Sequence, residues 1–238
     1  MKLKIIFIVL SIHLISSCGS ESGSSSNEVG TDTDNNKPKI EVDSSGFLKI
    51  SQSGEALSAN ESQWSCVLDD RTGLYWEIKK YDDSDLQNGW WKYSMATPPD
   101  RNMPDNYDFG QCLNSISYYD NKYCNAFEYI EELNEIELCG FTDWRIPEKE
   151  ELSSIVRCYE DSIEPPLDEC GEGHITPALN DKFFPEFHGY TYWTSSRISE
   201  NSDPEIPDYG YWYVSFENGY VSKAESHNAI FVRAVRGE

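Results

Sequence analysis

The chain is poor in basic residues, since 19 Lys and Arg stand against 42 Asp and Glu in 238 residues, for a formal net charge of −23. Such a surface repels phosphate and sulfate groups, so nucleic acid is not an expected partner. Histidine is scarce as well, with four residues and no H-E-x-x-H pattern. The sequence also lacks a glycine-rich phosphate-binding loop, an internal repeat and a coiled-coil heptad.

Motifs of nucleophilic or metal-assisted catalysis are missing too. No pair of cysteines has the C-x-x-C spacing of zinc sites, and the 68 residues after Cys170 contain no cysteine. The adjacent carboxylates Glu150 and Glu151 would point apart on a helix, so they do not form a catalytic pair. We therefore expect a domain that is not an enzyme and has no cofactor.

The N-terminus has the pattern of an exported lipoprotein. A basic start is followed by an apolar run over residues 5–15, which is too short to span a bilayer, and then by Ser16, Ser17 and Cys18. Small residues before this cysteine resemble the bacterial lipobox, which implies that residues 1–17 are a signal peptide and that Cys18 carries lipid, including palmitate. Several acyl chains give stable membrane anchoring. The alternative is an ordinary secretory signal with an unrelated cysteine.

Two further segments follow the signal peptide. Residues 18–45 are rich in Ser, Gly, Asn, Asp and Glu, a composition that cannot bury enough apolar surface to fold, so they are predicted to be a flexible acidic tether. Residues 46–238 form the predicted domain. Removal of Lys2 and Lys4 with the signal peptide changes the charge from −23 to about −25, because residues 1–17 contain no acid.

Six cysteines remain after Cys18, an even number that predicts disulfides in an exported chain. Zinc is the alternative, but the spacing does not favour it. Short loops cost least to close, and the two cysteines left over would link the N-terminal strands to the helical segment. The predicted pairs are Cys66–Cys139, Cys112–Cys124 and Cys158–Cys170.

Hydrophobic patterns predict an α+β domain with two helices and an antiparallel sheet. Strands are expected at residues 47–50 and 74–79. A helix is expected over 125–137, with Asn125 as its N-cap and with Phe127, Ile130, Leu133 and Ile136 on its buried face. Pro147 is predicted to start a second helix.

The C-terminal third has the pattern of strands. They are expected at 190–195, 211–217 and 229–236, with a two-residue hairpin turn at Asn218-Gly219. Residues 81–123, which have no clear period, are predicted to be long loops held by the cysteines.

An ordered series of motifs resembles the Lcl C-terminal domain family of bacterial surface proteins and lipoproteins. The motifs are Trp64-x-Cys66, Thr72-Gly-Leu-x-Trp-Glu77, Leu138-Cys-Gly140, Asp143-Trp-Arg-Ile-Pro147, Tyr192-Trp-x-Ser-Ser196 and Val232-Arg-x-Val-Arg236. The family in turn resembles the C-type lectin-like fold shared with formylglycine-generating enzymes. These enzymes need a reactive cysteine pair late in the domain, which this chain lacks after Cys170.

The resemblance implies a binding domain, either an adhesin or a lectin-like receptor at the cell surface. The collagen-like adhesin of the family binds sulfated polysaccharides, whereas this acidic chain is expected to prefer neutral glycans or a protein ligand. Any basic patch would have to come from Lys79, Lys80 or the arginines of the terminal strand. Weak candidates for stacking on sugar rings are Trp90, Trp91, Tyr118 and Tyr119.

Each motif also has a structural interpretation. Trp144 and Trp193 are expected to lock the helices to the sheet, and Arg145, Arg233 and Arg236 to pair with carboxylates or carbonyl groups. Loop aromatics commonly fill a satellite core. The whole chain is then either a binding lipoprotein or a structural, envelope-assembly lipoprotein.

Two remaining expectations concern location and cations. Gly19 after Cys18 predicts an outer-membrane anchor in the cell envelope of a diderm bacterium. Asp-rich loops at residues 82–85 and 201–203 have oxygen ligands that suit calcium, although neither fits an EF-hand.

Overall fold

Two antiparallel sheets and two short helices make up the domain in the computed structural model. The structure describes residues 42–82, 84–96, 125–159, 170–185, 190–198 and 210–237. All of them belong to one compact unit, Pro38–Glu238. The predicted α+β class is therefore correct, with two sheets in place of the single sheet expected.

The first sheet joins the N-terminal part of the domain to its C-terminal end. Its strands are β1 (Phe47–Ile50), β2 (Cys66–Asp69), β3 (Leu74–Glu77) and β7 (Val235–Arg236), in the order β1-β2-β3-β7. Ile50 faces Cys66 and Trp76 faces Val235. The predicted long terminal strand is wrong, because only Val235 and Arg236 form a strand. The preceding residues 230 and 231 make isolated bridges to other segments.

The second sheet is a three-stranded meander of β4 (Thr191–Arg197), β5 (Gly210–Ser215) and β6 (Val221–Glu225). β5 and β6 form the predicted hairpin, with Val214 facing Val221. The turn is wider than predicted, because the N–H of Ser215 donates to the carbonyl of Tyr220 at 2.8 Å. Gly219 occupies the left-handed region at φ 75°, where glycine has no steric penalty.

The helices are α1 (Ala126–Glu135) and α2 (Lys149–Ser153), with a 3₁₀ turn between them at Leu138–Gly140. Asn125 caps α1 as predicted, since its Oδ1 accepts a hydrogen bond from the N–H of Glu128 at 2.9 Å. α2 begins two residues after Pro147 and is short. The predicted buried face of α1 is partly wrong, because Phe127 and Ile136 are 37% and 46% exposed.

Both faces of the first sheet are covered by apolar side chains. Val67, Trp76 and Val235 pack in one hydrophobic cluster with Phe183, Phe184 and Val214. Their neighbours along the strands, such as Cys66, Tyr75 and Ala234, pack in or against a second cluster with α1 and Trp193. Successive residues of a strand point to opposite faces, so these strands lack the hydrophobic alternation of half-exposed sheets.

Two of the three predicted disulfides are present. Cys66–Cys139 links β2 to the 3₁₀ turn across 73 residues, and Cys158–Cys170 closes a loop of 12 residues. Gly54 packs against the first of these links, where an added Cβ would meet the Cys139 carbonyl oxygen at 2.5 Å. The predicted Cys112–Cys124 pair lies outside the described residues, as does the lipidation candidate Cys18.

Candidate functional site

A buried polar centre lies between the first sheet and α1, and it contains one of the lysines considered for a basic patch. Lys79 is 2% exposed, and its Nζ donates to the Oε1 of the fully buried Glu77 at 2.6 Å. The Tyr129 hydroxyl donates to the same oxygen of Glu77. Burial lowers the pKa of Lys79, and Glu77 opposes that change. Lys79 is therefore unable to attract a ligand at the surface.

The terminal-strand arginine closes this centre from the other side. Arg233 is fully buried and donates to the backbone carbonyl of Glu77 at 2.8 Å, while the N–H of Ala234 donates to Glu77 Oε2 at 2.9 Å. The guanidinium also lies 5.2 Å from the ring centroids of Phe184 and Tyr192. Burial lowers the Arg233 pKa to about 10. The motif residues Glu77 and Arg233 thus hold the two ends of the domain together.

The other cationic candidates are also engaged by acidic groups. Lys80 donates to Asp85 at 2.8 Å, and Arg236 makes two bonds to Asp143 at 2.8 and 2.9 Å. Arg145 makes a bidentate contact with Glu151 at 2.6 and 2.7 Å. Arg145 and Arg236 therefore pair with carboxylates as expected from the sequence, and Lys79, Lys80 and Arg236 do not form a basic patch.

Trp144 and Trp193 have the structural role expected for the motif tryptophans. Both are buried, and their indole N–H groups donate to the carbonyls of Leu138 and Tyr93 at 2.9 and 2.8 Å. An indole buried with its N–H satisfied is a stable core element. These residues position the backbone around them, and neither lines the groove described next.

A groove of about 620 Å³ opens beside the second sheet and is named here the aromatic groove. Its walls come from the start of β4, from β5, from the middle of β6 and from the segment before β7. The lining residues are Lys92, Tyr190, Thr191, Tyr213, Lys223, Ala224 and residues 228–231. This volume lies in the range of small-molecule sites.

Backbone pairing brings the groove residues together from distant parts of the chain. The N–H of Tyr93 donates to the carbonyl of Ile230 at 2.8 Å, which fixes Lys92 beside the 228–231 segment. The N–H of Phe231 donates to the carbonyl of Thr191 at 3.2 Å, which places Tyr190 against Phe231. Three segments far apart in sequence therefore build one wall.

Aromatic rings form a continuous row along this wall. Tyr190 stacks on Phe231 with centroids 4.3 Å apart, and Trp90 meets Tyr190 edge to face at 6.3 Å. Trp90 also meets Tyr81 edge to face, with centroids 5.2 Å apart. Trp90 is 44% exposed, so the row ends in an indole accessible to solvent. Burial raises the pKa of Tyr190 above its ordinary value of 10.0, so its hydroxyl, like that of an unperturbed tyrosine, is a hydrogen-bond donor at neutral pH.

The groove has one ammonium group located beside its aromatic wall. Lys92 Nζ lies 5.0 Å from the centroid of Phe231. The ammonium of Lys223 lies 4.8 Å from the Trp212 ring, and Trp212 is the strand partner of Lys223. Tyr213 projects to the opposite face from Trp212, since neighbours in a strand alternate. Asn228 adds an exposed amide to the rim.

The four aromatic residues considered for stacking on sugar rings lie in different environments. Trp90 lies at the end of the row beside the groove, whereas Trp91 packs against the second hydrophobic cluster as loop aromatics commonly do. Tyr118 and Tyr119 lie outside the described residues. Sequence reasoning missed Lys92, Tyr190 and Phe231 as groove residues. The aromatic pattern around Tyr190 was visible, but it indicated only a strand.

In the Asp-rich loop at 82–85, the described acids Asp82 and Asp85 accept hydrogen bonds from neighbouring protein groups. Asp82 Oδ1 accepts bonds from the N–H and hydroxyl of Ser84 at 2.9 and 2.7 Å, which lowers the pKa of Asp82. Asp85 accepts from Lys80 and from the N–H of Gln87. No group of three or more His, Cys, Asp or Glu suited to a metal occurs among the described residues. The second loop, 201–203, lies outside them.

Comparison with known families matches residues 65–236 to the model of the Lcl C-terminal domain. The chain belongs to the Lcl C-terminal domain family. No curated protein and no solved structure gave a significant match. Membership in the Lcl C-terminal domain family indicates a bacterial surface-associated domain.

The matched range, residues 65–236, shows which structural features of this chain belong to the family pattern. It covers both disulfides and the buried polar centre, but it begins after β1, which pairs with β2 along its full length. In the described part of the chain, no helix is long and apolar enough to cross a membrane. The Lcl C-terminal motifs described above are largely structural in this domain, while the groove residues Lys92 and Tyr190 fall between motifs.

Proposed function

We propose that this chain is an exported, lipid-anchored envelope protein whose C-terminal domain binds a glycan in the aromatic groove without catalysis. The observation that carries the proposal is the row of rings from Trp90 to Phe231 beside a groove of about 620 Å³. A lectin-like role agrees with a surface-associated family and with a concave site lined by rings and a few polar groups.

The groove has the chemical groups that sugars use. Aromatic faces contact the C–H groups of a sugar ring, and edges of Tyr and Trp offer polar donors at the same time. The Tyr190 hydroxyl, the Asn228 amide and the Lys92 ammonium line the groove as hydrogen-bonding groups. A C-type lectin-like arrangement of the domain would suit this function, and we retain it as part of the proposal.

Electrostatics favours a neutral glycan over a sulfated one. The chain carries a formal charge of −23, and the described arginines and lysines named above are largely paired with acids. The two lysines that line the groove, Lys92 and Lys223, do not offset this field for a polyanion. Heparin is therefore expected to bind weakly at physiological salt.

The proposal includes the absence of catalysis. The last cysteine of the sequence, Cys170, is held in a disulfide with Cys158. The late thiol pair required by formylglycine-generating chemistry has no counterpart after it. Incubation of the purified domain with copper and a sulfatase-type peptide should therefore yield no aldehyde by mass spectrometry, and aldehyde formation would contradict this part.

Lipid anchoring at Cys18 is the second part of the proposal, with the outer membrane as the expected location. A Cys18→Ser variant should leave the membrane fraction and should not incorporate labelled palmitate. If that variant partitions with membranes as the parent protein does, the anchor is not at Cys18.

The glycan site can be tested with a neutral-glycan array followed by surface plasmon resonance. Trp90→Ala and Tyr190→Ala should reduce binding of the selected neutral glycan at least tenfold. Tyr220→Ala is the matched control, because Tyr220 is 46% exposed and does not line the groove. Heparin should be measured in parallel with calcium and with chelator, which also tests cation bridging.

Three results would count against the glycan site. Micromolar heparin binding in chelator would contradict the preference for neutral glycans. Equal losses of glycan binding in Tyr220→Ala and Trp90→Ala would contradict the location of the site at the aromatic groove. If no glycan on the array binds, the envelope-assembly function is favoured instead.

A further inference from the structure

A second concave surface, named here the α1 groove, lies where α1 meets the segment before α2 and β4. Its volume is about 420 Å³, and its apolar lining consists of Phe127, Ile130, Trp144 and Ile146. Glu131, Arg145, Glu148 and Ser195 complete the lining. None of these residues lines the aromatic groove, so this surface is independent of the proposed glycan site.

The ring of Phe127 is exposed to solvent, although the face of α1 that is turned toward the core is well packed. α1 buries Ala126, Tyr129, Ile130 and Leu133 against the core, yet Phe127 remains 37% exposed at the groove. Burying a Phe side chain is worth about 1.5–3 kcal/mol, so an occupant that covers this ring would gain binding energy. The floor formed by Trp144 and Ile146 is already rigid and buried.

The net charge around the α1 groove is negative. Glu131 and Glu148 are both exposed at its edge. Arg145 is the only cationic residue in the lining, and its guanidinium is engaged by both oxygens of Glu151 and by the carbonyl of Gly237. The whole of α1, Ala126–Glu135, contains Glu128, Glu131, Glu132 and Glu135 and no basic residue.

We propose that the α1 groove docks a peptide segment of a partner protein that combines an apolar side chain with flanking lysines or arginines. The apolar side chain would cover Phe127 and rest on Trp144 and Ile146, while the basic residues would face Glu131 and Glu148. This is the recognition mode in which apolar anchors fill a groove and charges at the rim select the partner.

Charge complementarity favours a basic peptide over a second copy of the chain as the occupant of the α1 groove. A protein with a net charge of −23 and acidic groove edges repels itself at this face. Equilibrium sedimentation at physiological salt should therefore give a monomer at concentrations where the peptide binds. A dimer that is broken by Phe127→Ala would instead assign the groove to self-association and overturn the proposal.

The test uses fluorescence anisotropy with the full mature domain and three labelled peptides. The probe is Gly-Lys-Leu-Trp-Lys-Leu-Lys-Gly. In the second peptide serine replaces Leu and Trp, and in the third glutamate replaces Lys. The second peptide keeps every positive charge, so it reports unspecific attraction to an acidic protein. The probe should bind at least tenfold more tightly than either of the other two, and equal binding of the first two would overturn the proposal.

Variants then locate the binding surface. Phe127→Ala and the double variant Glu131→Lys/Glu148→Lys should each weaken probe binding at least tenfold. The matched controls on the same helical segment are Ile136→Ala and Glu135→Lys, because both residues are exposed and neither lines the groove. The controls should change the Kd less than twofold.

Charge reversal gives an internal check that does not depend on loss of binding. The Glu131→Lys/Glu148→Lys variant should bind the glutamate peptide more tightly than the parent domain does. Absence of probe binding to the parent domain, or equal effects of Phe127→Ala and Ile136→Ala, would overturn the proposal.

Discussion

The buried polar centre and the aromatic groove are built from the same kinds of side chain, lysine or arginine beside aromatic rings, but in opposite environments. In the centre, Lys79 and Arg233 are at most 2% exposed and are matched by Glu77 and its backbone carbonyl. In the groove, Lys92 lies beside Phe231 at an open surface, and Trp90, which contacts the groove residue Tyr190, is 44% exposed.

The difference shows where stability and binding reside in this domain. A charge removed from water must be compensated by neighbours in the fold, so the residues of the buried centre are committed to one arrangement. Side chains at the groove keep contact with solvent and can exchange it for a ligand. Changes in the centre should therefore alter folding, and changes in the groove should alter binding.

The largest expected effect is that of Glu77→Gln. The substitution leaves the Lys79 ammonium buried without its carboxylate and weakens the acceptor for the N–H of Ala234, and breaking such a pair costs about 3–5 kcal/mol. Urea unfolding followed by tryptophan fluorescence measures this loss. The Glu77→Gln/Lys79→Met double variant should lose less than the sum of the single variants, and strict additivity would argue against a coupled pair.

A smaller effect is expected when a similar pair is partly exposed. Arg145 and Glu151 form a bidentate pair with side chains 39% and 19% exposed. Because solvent screens such pairs, Glu151→Gln should cost only about 1 kcal/mol in the same urea assay. A loss as large as that of Glu77→Gln would show that exposure does not decide the contribution of an ion pair here.

The ion pair of Asp43 and Lys182 adds a pH-dependent test of the same comparison. The hydrogen bond from Lys182 lowers the Asp43 pKa from 3.8 to about 2. Since the pKa is lower in the folded state, the pair stabilises the fold above about pH 4, and this contribution is lost as the pH falls from 4 to 2. The parent should exceed Asp43→Asn in stability at pH 6, and the gap should close by pH 2; a constant gap would contradict the assignment.

The smallest effect on stability is expected in the groove itself. Trp90→Ala removes a half-exposed ring, so we expect a change in unfolding free energy within about 0.5–1 kcal/mol, well below that of Glu77→Gln. Binding of the neutral glycan should nevertheless fall at least tenfold. A large loss of stability with unchanged glycan binding would show that Trp90 stabilises the fold and does not bind the glycan. The contrast between the buried polar centre and the aromatic groove would then not hold for this residue.

Short-range signals in the sequence were sufficient for several elements. The cap at Asn125, the hairpin between β5 and β6 and the closure of Cys158–Cys170 each depend on residues close together in the chain. Long-range pairing was harder. Residues 229–236 alternate like a strand, but the structure divides them among four neighbours, namely Tyr93, β4, Arg145 and β3.

The face of α1 illustrates why helix patterns can mislead. Phe127, Ile130, Leu133 and Ile136 have helical spacing, but the buried set is Ala126, Tyr129, Ile130 and Leu133. The packed stripe is rotated because the Tyr129 hydroxyl reaches Glu77 in the buried polar centre. A pattern of apolar residues does not contain that polar contact.

The sequence by itself determined the family, the α+β class and the structural role of the motif residues through its ordered motifs. It also determined two described disulfides, because Cys158–Cys170 closes a short loop and Cys66–Cys139 was the pair left over. Only the tertiary structure decided which charges are buried and which line a surface. Lys79 and Lys92 are alike in sequence, but strand pairing directs one to Glu77 inside the domain and the other to Phe231 at the groove. Their environments are set by contacts with residues far along the chain, and those contacts exist only after folding.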